Sequence, residues 1–325
     1  MAMGVSFLGV SSLGKIFLYV FLVLLGGALA APLAWHLVQI LPPHLFHGHL
    51  GQIQAMPFHR YFSRSLQVSA LLLLWPLLRS LRIRSLEEFG LIPNLRPLRD
   101  AGIGFLAGLL CAMLLQPLLI LSGAFALDTG WSSLLLPALP RILVTALLVA
   151  VLEEFLFRGV LLGFFRQVTT PLAAILLSAA LFAGVHFLNL SSSGADALPP
   201  RWWSGLVMIG SIGHALPSWH LLAWAFATLF AAGAILAWMT VRTGSLWAAI
   251  GLHGSLILGQ QLFNTAAGFQ VNPQDGLLPL FGPPQCNGMV PVGLVPLASI
   301  MLSGLFAAVL LRKRAQPPLF PTGNR

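Results

Sequence analysis

Charged side chains are what this sequence has least of. They make up 8% of its 325 residues, and 58% of the residues are hydrophobic. An ordinary soluble domain is about 25% charged. The deficit excludes a soluble globular chain and leaves a polytopic membrane protein. Cysteine is nearly missing as well. Cys111 lies in an apolar run and Cys286 in a polar stretch, neither with a ligand-like neighbour, which argues against a disulfide and a cysteine-based metal site. No internal repeat is visible and no pair of interrupted hydrophobic segments, so a transporter built on an inverted repeat has no support. A His-Glu-x-x-His helix is missing too, which removes the zincin geometry. What the chain has in surplus is positive charge, a formal +9. In a soluble protein that would suggest nucleic acid. Here the basic residues fall between apolar runs and read as topology signals and contacts with membrane lipids, and no nucleic-acid partner is expected.

A membrane span needs about 20 apolar residues. Read with that window, the sequence predicts an all-α polytopic membrane bundle of about eight transmembrane helices, near 16–41, 65–78, 101–127, 141–165, 171–190, 219–241, 246–263 and 290–311. Lys15, the apolar run Ile16–Leu25 and Ala28-Leu29-Ala30 imitate a signal peptide. The apolar character runs on to Leu41, too long for such a segment, so a retained first helix is expected. Lys15, the group Arg79, Arg82, Arg84, Arg96 and Arg99, then Arg166, Arg242 and Arg312-Lys313-Arg314 all fall on one side of eight spans. The opposite loops hold Asp128, Asp196 and Asp275, with Arg60, Arg64, Arg141 and Arg201 as counterweights. The positive-inside rule then places both termini in the cytosol.

Two stretches fit the span scheme less directly. Residues 199–218, with Trp202, Trp203, His214, Pro217 and then Trp219, suit an interfacial or re-entrant segment in a headgroup belt. Asn264–Gly288 is rich in Pro, Gly and Gln and reads as an outer loop. His44, His47, His49 and His59 lie between 42 and 64 without Cys, Asp or Glu. Imidazoles without a second shell rarely make a metal site, so this stretch is expected to be a solvated interfacial loop.

The organising stretch is Glu153-Glu154-Phe155-Leu156-Phe157-Arg158. From Ile142 to Phe165 its two carboxylates and one guanidinium are the only formal charges. Each ionisable side chain at the middle of a membrane helix costs roughly 2.5–3.5 kcal/mol on insertion scales. Glu154 and Arg158 are four apart with Glu first, the favourable order for an ion pair along one helix. Glu153 points about 100° away and has no such partner in its helix, which leaves it available as a general base. Two further polar groups lie within predicted spans. His186 follows Phe182 by four residues and shares its face, with Asn189 a turn beyond. His253 sits between Gly251 and Gly254, which permit close approach of another helix or a substrate backbone.

Depth brings the three together. Counted from the flanking Arg166, Pro171 and Arg242, Glu153, His186 and His253 lie roughly 20, 22 and 16 Å from the inner surface at 1.5 Å per residue. Ordinary tilts of about 20° make these depths overlap, so a site in the cytosolic half or at the midplane is expected. A lone histidine in a membrane helix is often an interhelical hydrogen-bonding group. A carboxylate and two imidazoles at one depth point instead to chemistry.

The Glu-Glu-x-x-x-Arg-Gly piece, Phe182-x-x-x-His186 about 30 residues on, and the third, His253-bearing helix resemble the CPBP family of intramembrane proteases. That family includes the type II CAAX prenyl endopeptidases and the bacterial Abi proteins of bacteriocin processing and self-immunity. The resemblance covers roughly 141–263 and divides the chain into N-terminal helices and loops (1–135), a protease-like core (136–265), and an outer loop, last helix and basic cytosolic tail (266–325). It implies a multi-pass protein of a bacterial plasma membrane that cleaves a peptide or protein substrate, including prenylated ones. It also implies that Glu153 and His186 activate water, that His253 helps stabilise the oxyanion, and that Glu154 and Arg158, with Phe182, keep the site in shape. The family usually has Asn four positions after the last His, where this chain has Ile257. Gln260 and Asn264 lie on nearly the same stripe but about 10 and 16 Å further along. Family usage speaks of metalloproteases. Glu153, His186 and His253 are the residues that would hold Zn²⁺ with an open fourth position, and the same three could act without metal, the reading favoured because Glu153 then remains the base. A membrane immunity or scaffold protein that keeps the site as a relic is the competing reading, motivated by Ile257.

Overall fold

A chain crossing hydrocarbon must satisfy every backbone N–H and C=O internally, and long runs of Leu, Ala, Val and Phe do so as helices. The computed structural model describes residues 12–44, 49–81, 96–187, 199–211, 218–270, 279–286 and 290–312. His47, Arg82, Arg84, Asn189, Asp196, His214, Pro217, Asp275, Lys313 and Arg314 lie outside them. The helices are α1 (Ser12–Ile40), α2 (His49–Gln54), α3 (Phe58–Ser80), α4 (Pro97–Leu121), α5 (Trp131–Glu154), α6 (Leu162–Val168), α7 (Pro171–His186), α8 (Ser204–Gly210), α9 (Trp219–Thr243), α10 (Trp247–Ala266) and α11 (Leu294–Leu311). A π turn, Phe155–Leu161, joins α5 to α6. Every one of the eight expected segments holds a helix, and the all-α membrane bundle stands. Five of the described helices are long and apolar enough to cross a membrane: Gly14–Ile40, Pro97–Leu121, Trp131–Val168, Trp219–Thr243 and Leu294–Leu311.

Several boundaries differ from the sequence expectation for local reasons. The fourth predicted span begins at Trp131 rather than near 141, running through Pro137 and Pro140. Prolines in membrane helices are tolerated because neighbouring groups take up the freed carbonyls. The third ends at Leu121 rather than near 127. Residues Phe125–Leu127 instead form β1, paired antiparallel with β2 (Ala267–Phe269) in the register Phe125↔Phe269. The stretch read as an outer loop thus starts as helix and strand, and it also holds β3 (Gly282–Cys286), paired with β4 (Val290–Val292). Within 42–64, α2 and the start of α3 replace much of the expected loop. Gln54 Nε2 donates to the carbonyls of Val38 and Leu41 at 2.9 and 2.8 Å, finishing the open end of α1.

The chain forms two compact units, Met1–Arg84 with Phe187–Leu216, and Ser85–His186 with Pro217–Arg325. In the first, Ala28 and Ala31 of α1, Phe58, Tyr61 and Phe62 of α3, and Met208 of α8 form the core. Gly205 lets α8 rest on the backbone of Ala28, where a Cβ would collide. Trp202 and Trp203 stack edge to face at 5.2 Å just before α8, with the Arg201 guanidinium 5.2 Å from the Trp203 ring.

The second unit carries the three helices that bear Glu153, His186 and His253. α10 packs on α4 and α5, and α9 on α7. The α4–α10 contact is a seam of backbone. Gly104 faces the Ala248 carbonyl, Gly251 faces that of Ala101, and Gly108 meets the side chain of Ser255, places where no Cβ would fit. The contacts advance in the same direction on both helices, so α4 and α10 run parallel. α10 is aimed by the turn before it. Gly244 ends α9 in the left-handed region at φ 65°, which a residue with a Cβ adopts only at a cost. Thr243 Oγ1 donates to Ser245 O at 2.9 Å, and Ser245 Oγ accepts the Trp247 N–H at 3.3 Å. This fixes where α10 starts, and therefore where His253 points.

Candidate active site

Glu154 and Arg158 form the expected ion pair. Arg158 Nη1 donates to Glu154 Oε1 at 2.8 Å, and neither side chain has any exposed surface. The guanidinium also donates from Nη2 to the Gly233 carbonyl of α9 at 3.3 Å and lies 4.3 Å from the Phe182 ring centroid. A buried pair of this kind adds little net stability, since desolvating two charges offsets their attraction. Its value lies in what it orients.

The sequence expectation had Glu154 engaged by Arg158 alone. In the structure the same Oε1 also accepts from His253 Nδ1 at 2.7 Å. A carboxylate accepts, so Nδ1 carries a proton, and the neutral ring presents Nε2 as a lone pair. That Nε2 lies 3.9 Å from Glu153 Oε2. Glu153 has no guanidinium neighbour on its helix, as expected, and its Oε2 is a buried atom with no hydrogen-bond partner among the described residues. The side chain nevertheless keeps 31% of its surface exposed. Glu154 Oε2 is likewise buried without a hydrogen-bond partner among the described residues, so the two carboxylates differ in that Glu154 is wholly enclosed and Glu153 keeps part of its surface exposed.

His186 ends α7, one turn after Phe182. Its Nδ1 lies 2.7 Å from the Phe182 carbonyl. A carbonyl can only accept, so this ring too donates from Nδ1 and turns Nε2 outward. Phe182 holds the group together, its ring 4.6 Å from His186, 5.7 Å from His253 and 5.3 Å from Phe157. All six residues singled out in the sequence thus gather on α5 with its π turn, α7 and α10.

Three contributors escaped the sequence reading. Gly233 offers its carbonyl to Arg158, and a Cβ there would press on Ala179 and Phe182 at 3.1 Å. Ser178, fully buried, donates to the Phe157 carbonyl at 3.2 Å. The π turn supplies that carbonyl. Ser178 could have been found as the residue one turn before Phe182 on the His186 face; the other two leave no one-dimensional trace. Ile257 is partly buried against Ala150, Leu246 and Ile250. Gln260 and Asn264 do not replace an amide at that place, because Gln260 Nε2 donates to Asn264 Oδ1 at 2.8 Å.

A metal is the alternative the donor set invites. Among the described residues no three His, Cys, Asp or Glu side chains are grouped as a ligand set. Glu154 is committed to Arg158 and His253, which leaves Glu153, His186 and His253 as the residues that would hold a metal ion.

Chemically, the site joins an acceptor oxygen on Glu153, an acceptor nitrogen on His186, and an imidazole that donates to a buried carboxylate. Such a set can polarise and deprotonate water beside an electrophile. Residues 135–257 match the family model described as Rce1-like, type II CAAX prenyl endopeptidase. The resemblance stated from the motifs is borne out, and with the apolar helices it makes this a membrane protein. No curated protein and no solved structure matches the chain.

Proposed function

From the premise that residues 135–257 form a protease domain of the CPBP/CAAX family, we propose that the chain is a membrane-embedded endopeptidase with Glu153 as general base. Water binds between Glu153 Oε2 and His186 Nε2, donating a hydrogen bond to each. Glu153 takes one proton as the water oxygen bonds to the scissile carbonyl carbon. The oxyanion forms beside His253. In its protonated form that ring donates from both nitrogens, Nδ1 to Glu154 and Nε2 to the oxyanion. On collapse the C–N bond breaks, Glu153 returns its proton to the leaving amine, and the products are an amine and a carboxylic acid, whose remaining proton, the second one of the water, is then lost to the amine to give carboxylate and ammonium.

The observation that carries this reading is the pair of Nδ1 anchors, Phe182 O for His186 and Glu154 Oε1 for His253. They anchor both rings through Nδ1 and leave Nε2 of each for the reaction, while Glu153 keeps an unpartnered oxygen. The substrate class is a peptide whose scissile bond reaches the bilayer interior, with a prenylated C-terminal peptide as the first candidate, in the plasma membrane of a bacterium. The test is turnover of prenylated and unprenylated fluorogenic peptides by the purified chain in lipid nanodiscs. Glu153→Ala and His186→Ala variants that cleave as fast as the natural protein would sink the proposal.

Ile257 favours a second reading, a non-catalytic immunity or scaffold protein of the same fold. An apolar residue packed on α5 stands where an amide would serve the oxyanion. Full complementation in cells by a triple Glu153/His186/His253 alanine variant would support it over the enzyme.

A further inference from the structure

Ser178, Phe182 and His186 succeed one another at four-residue intervals, so they form one stripe of α7. Each rests on something different. His186 reaches the reacting groups, Phe182 lies against Arg158 and Phe157, and Ser178 donates to the Phe157 carbonyl at 3.2 Å with no surface exposed. That carbonyl belongs to the π turn, where the Leu162 N–H also reaches Phe157 O, five residues back instead of the usual four. The wide turn begins at the residue after Glu154 and contains Arg158. It is therefore the part of the helix that sets where the two carboxylates and the guanidinium stand relative to α7. π turns are uncommon and tend to occur at functional sites.

We propose that Ser178 is a positioning residue for the reaction, its hydroxyl fixing the slide of α7 along the π turn and thereby the placement of His186 Nε2 opposite Glu153. The proposal rests on the protease reading for its kinetic consequence, but not for its structural one. A fully buried hydroxyl in an apolar helix has two ordinary uses. It can bond back to its own helix's carbonyl four residues earlier, as Thr228, Thr240 and Thr243 do, or it can reach across. Ser178 reaches across, to a carbonyl in the turn that carries Arg158. Misplacement by about 1 Å can cost on the order of 100-fold in rate when reacting groups must meet. Loss of one such tether, with Phe182 still in place, is expected to cost less than that limit.

The experiment compares Ser178→Ala and Ser178→Thr in the full chain in nanodiscs, with two readouts. With ring-¹⁵N-labelled histidine, the His186 signals are assigned by their loss in His186→Gln, without any substrate. Ser178→Ala should displace those signals, and Ser178→Thr, which keeps the hydroxyl, should return them toward the natural positions. In turnover, Ser178→Ala should lower kcat about 5- to 20-fold with KM unchanged, and Ser178→Thr should recover at least half of the loss. Unmoved His186 signals in Ser178→Ala overturn the inference whether or not the protein hydrolyses peptides. Equal kcat losses in the alanine and threonine variants overturn it as well. A chain that cleaves nothing but shows the displaced and restored signals removes the protease reading and leaves the tether standing.

Discussion

The α1–α3 pair and the α5–α7–α10 junction both bury polar groups among apolar helices, in opposite manners. In the first, Lys15 and Tyr19 each find a main-chain carbonyl. Lys15 Nζ donates to Ser80 O at 2.8 Å and the Tyr19 hydroxyl to Ala70 O at 2.9 Å. The lysine is half-buried and stands at the open end of α3, where a cation suits the helix dipole. In the second, charge meets charge in full burial. Glu154 Oε1 accepts from Arg158 and from His253, while Glu153 Oε2 and Glu154 Oε2 have no hydrogen-bond partner among the described residues. The first arrangement is what stability alone would select. The second adds little net stability.

That contrast can be broken most sharply at Glu153. Glu153→Gln keeps the shape and removes the base, so peptide hydrolysis should fall about 100- to 10,000-fold with thermal unfolding unchanged. A stability loss resembling that of its neighbour would erase the distinction between the two carboxylates. Glu154→Ala should behave the other way. It strands Arg158 without a counter-charge and His253 without its acceptor, at a cost of about 3–5 kcal/mol in detergent unfolding. Restoring an amide at the fourth position after His253 is the next test. Ile257→Asn should speed turnover by up to about 100-fold if His253 works as an oxyanion donor. The same variant should lose about 1–3 kcal/mol from the contact with Ala150 and Ile250. No gain in a folded, inserted variant would favour the scaffold reading.

The smaller effects belong to the other region. Lys15→Met should cost about 1 kcal/mol in unfolding, the range of an ordinary partly solvated hydrogen bond, and leave turnover alone. A kinetic defect there would show that the two regions are not as different as their bonding suggests. Exhaustive chelation should change nothing, measured as turnover before and after treatment. Activity that vanishes and returns with stoichiometric Zn²⁺ would replace the base assignment of Glu153.

The helices were legible because burial and span length act on composition, which a linear reading captures. The Glu154–Arg158 pair was legible because four-residue spacing is a property of one helix. The meeting of Glu153, His186 and His253 came from counting depth, since rise per residue converts sequence into height. What escaped is what depends on rotation about, and contact across, helices. The bond from His253 to Glu154 needed the facing of α10 on α5. The role of Ser178 needed a π turn, which shifts hydrogen bonds by one residue without a signature in residue type. β1 and β2 escaped because each is three residues long and their pairing joins places about 140 residues apart (Phe125 and Phe269).

The glycine seam between α4 and α10 has a mechanical meaning for the site. Where backbone touches backbone there is no rotamer to change and no side chain to compress, so the two helices behave as one stiff plate. His253 is mounted on that plate. α7 meets the site partly through the rings of Phe157 and Phe182, which can turn where a backbone contact cannot, so the freedom to yield beside the site lies with those rings and not with His253.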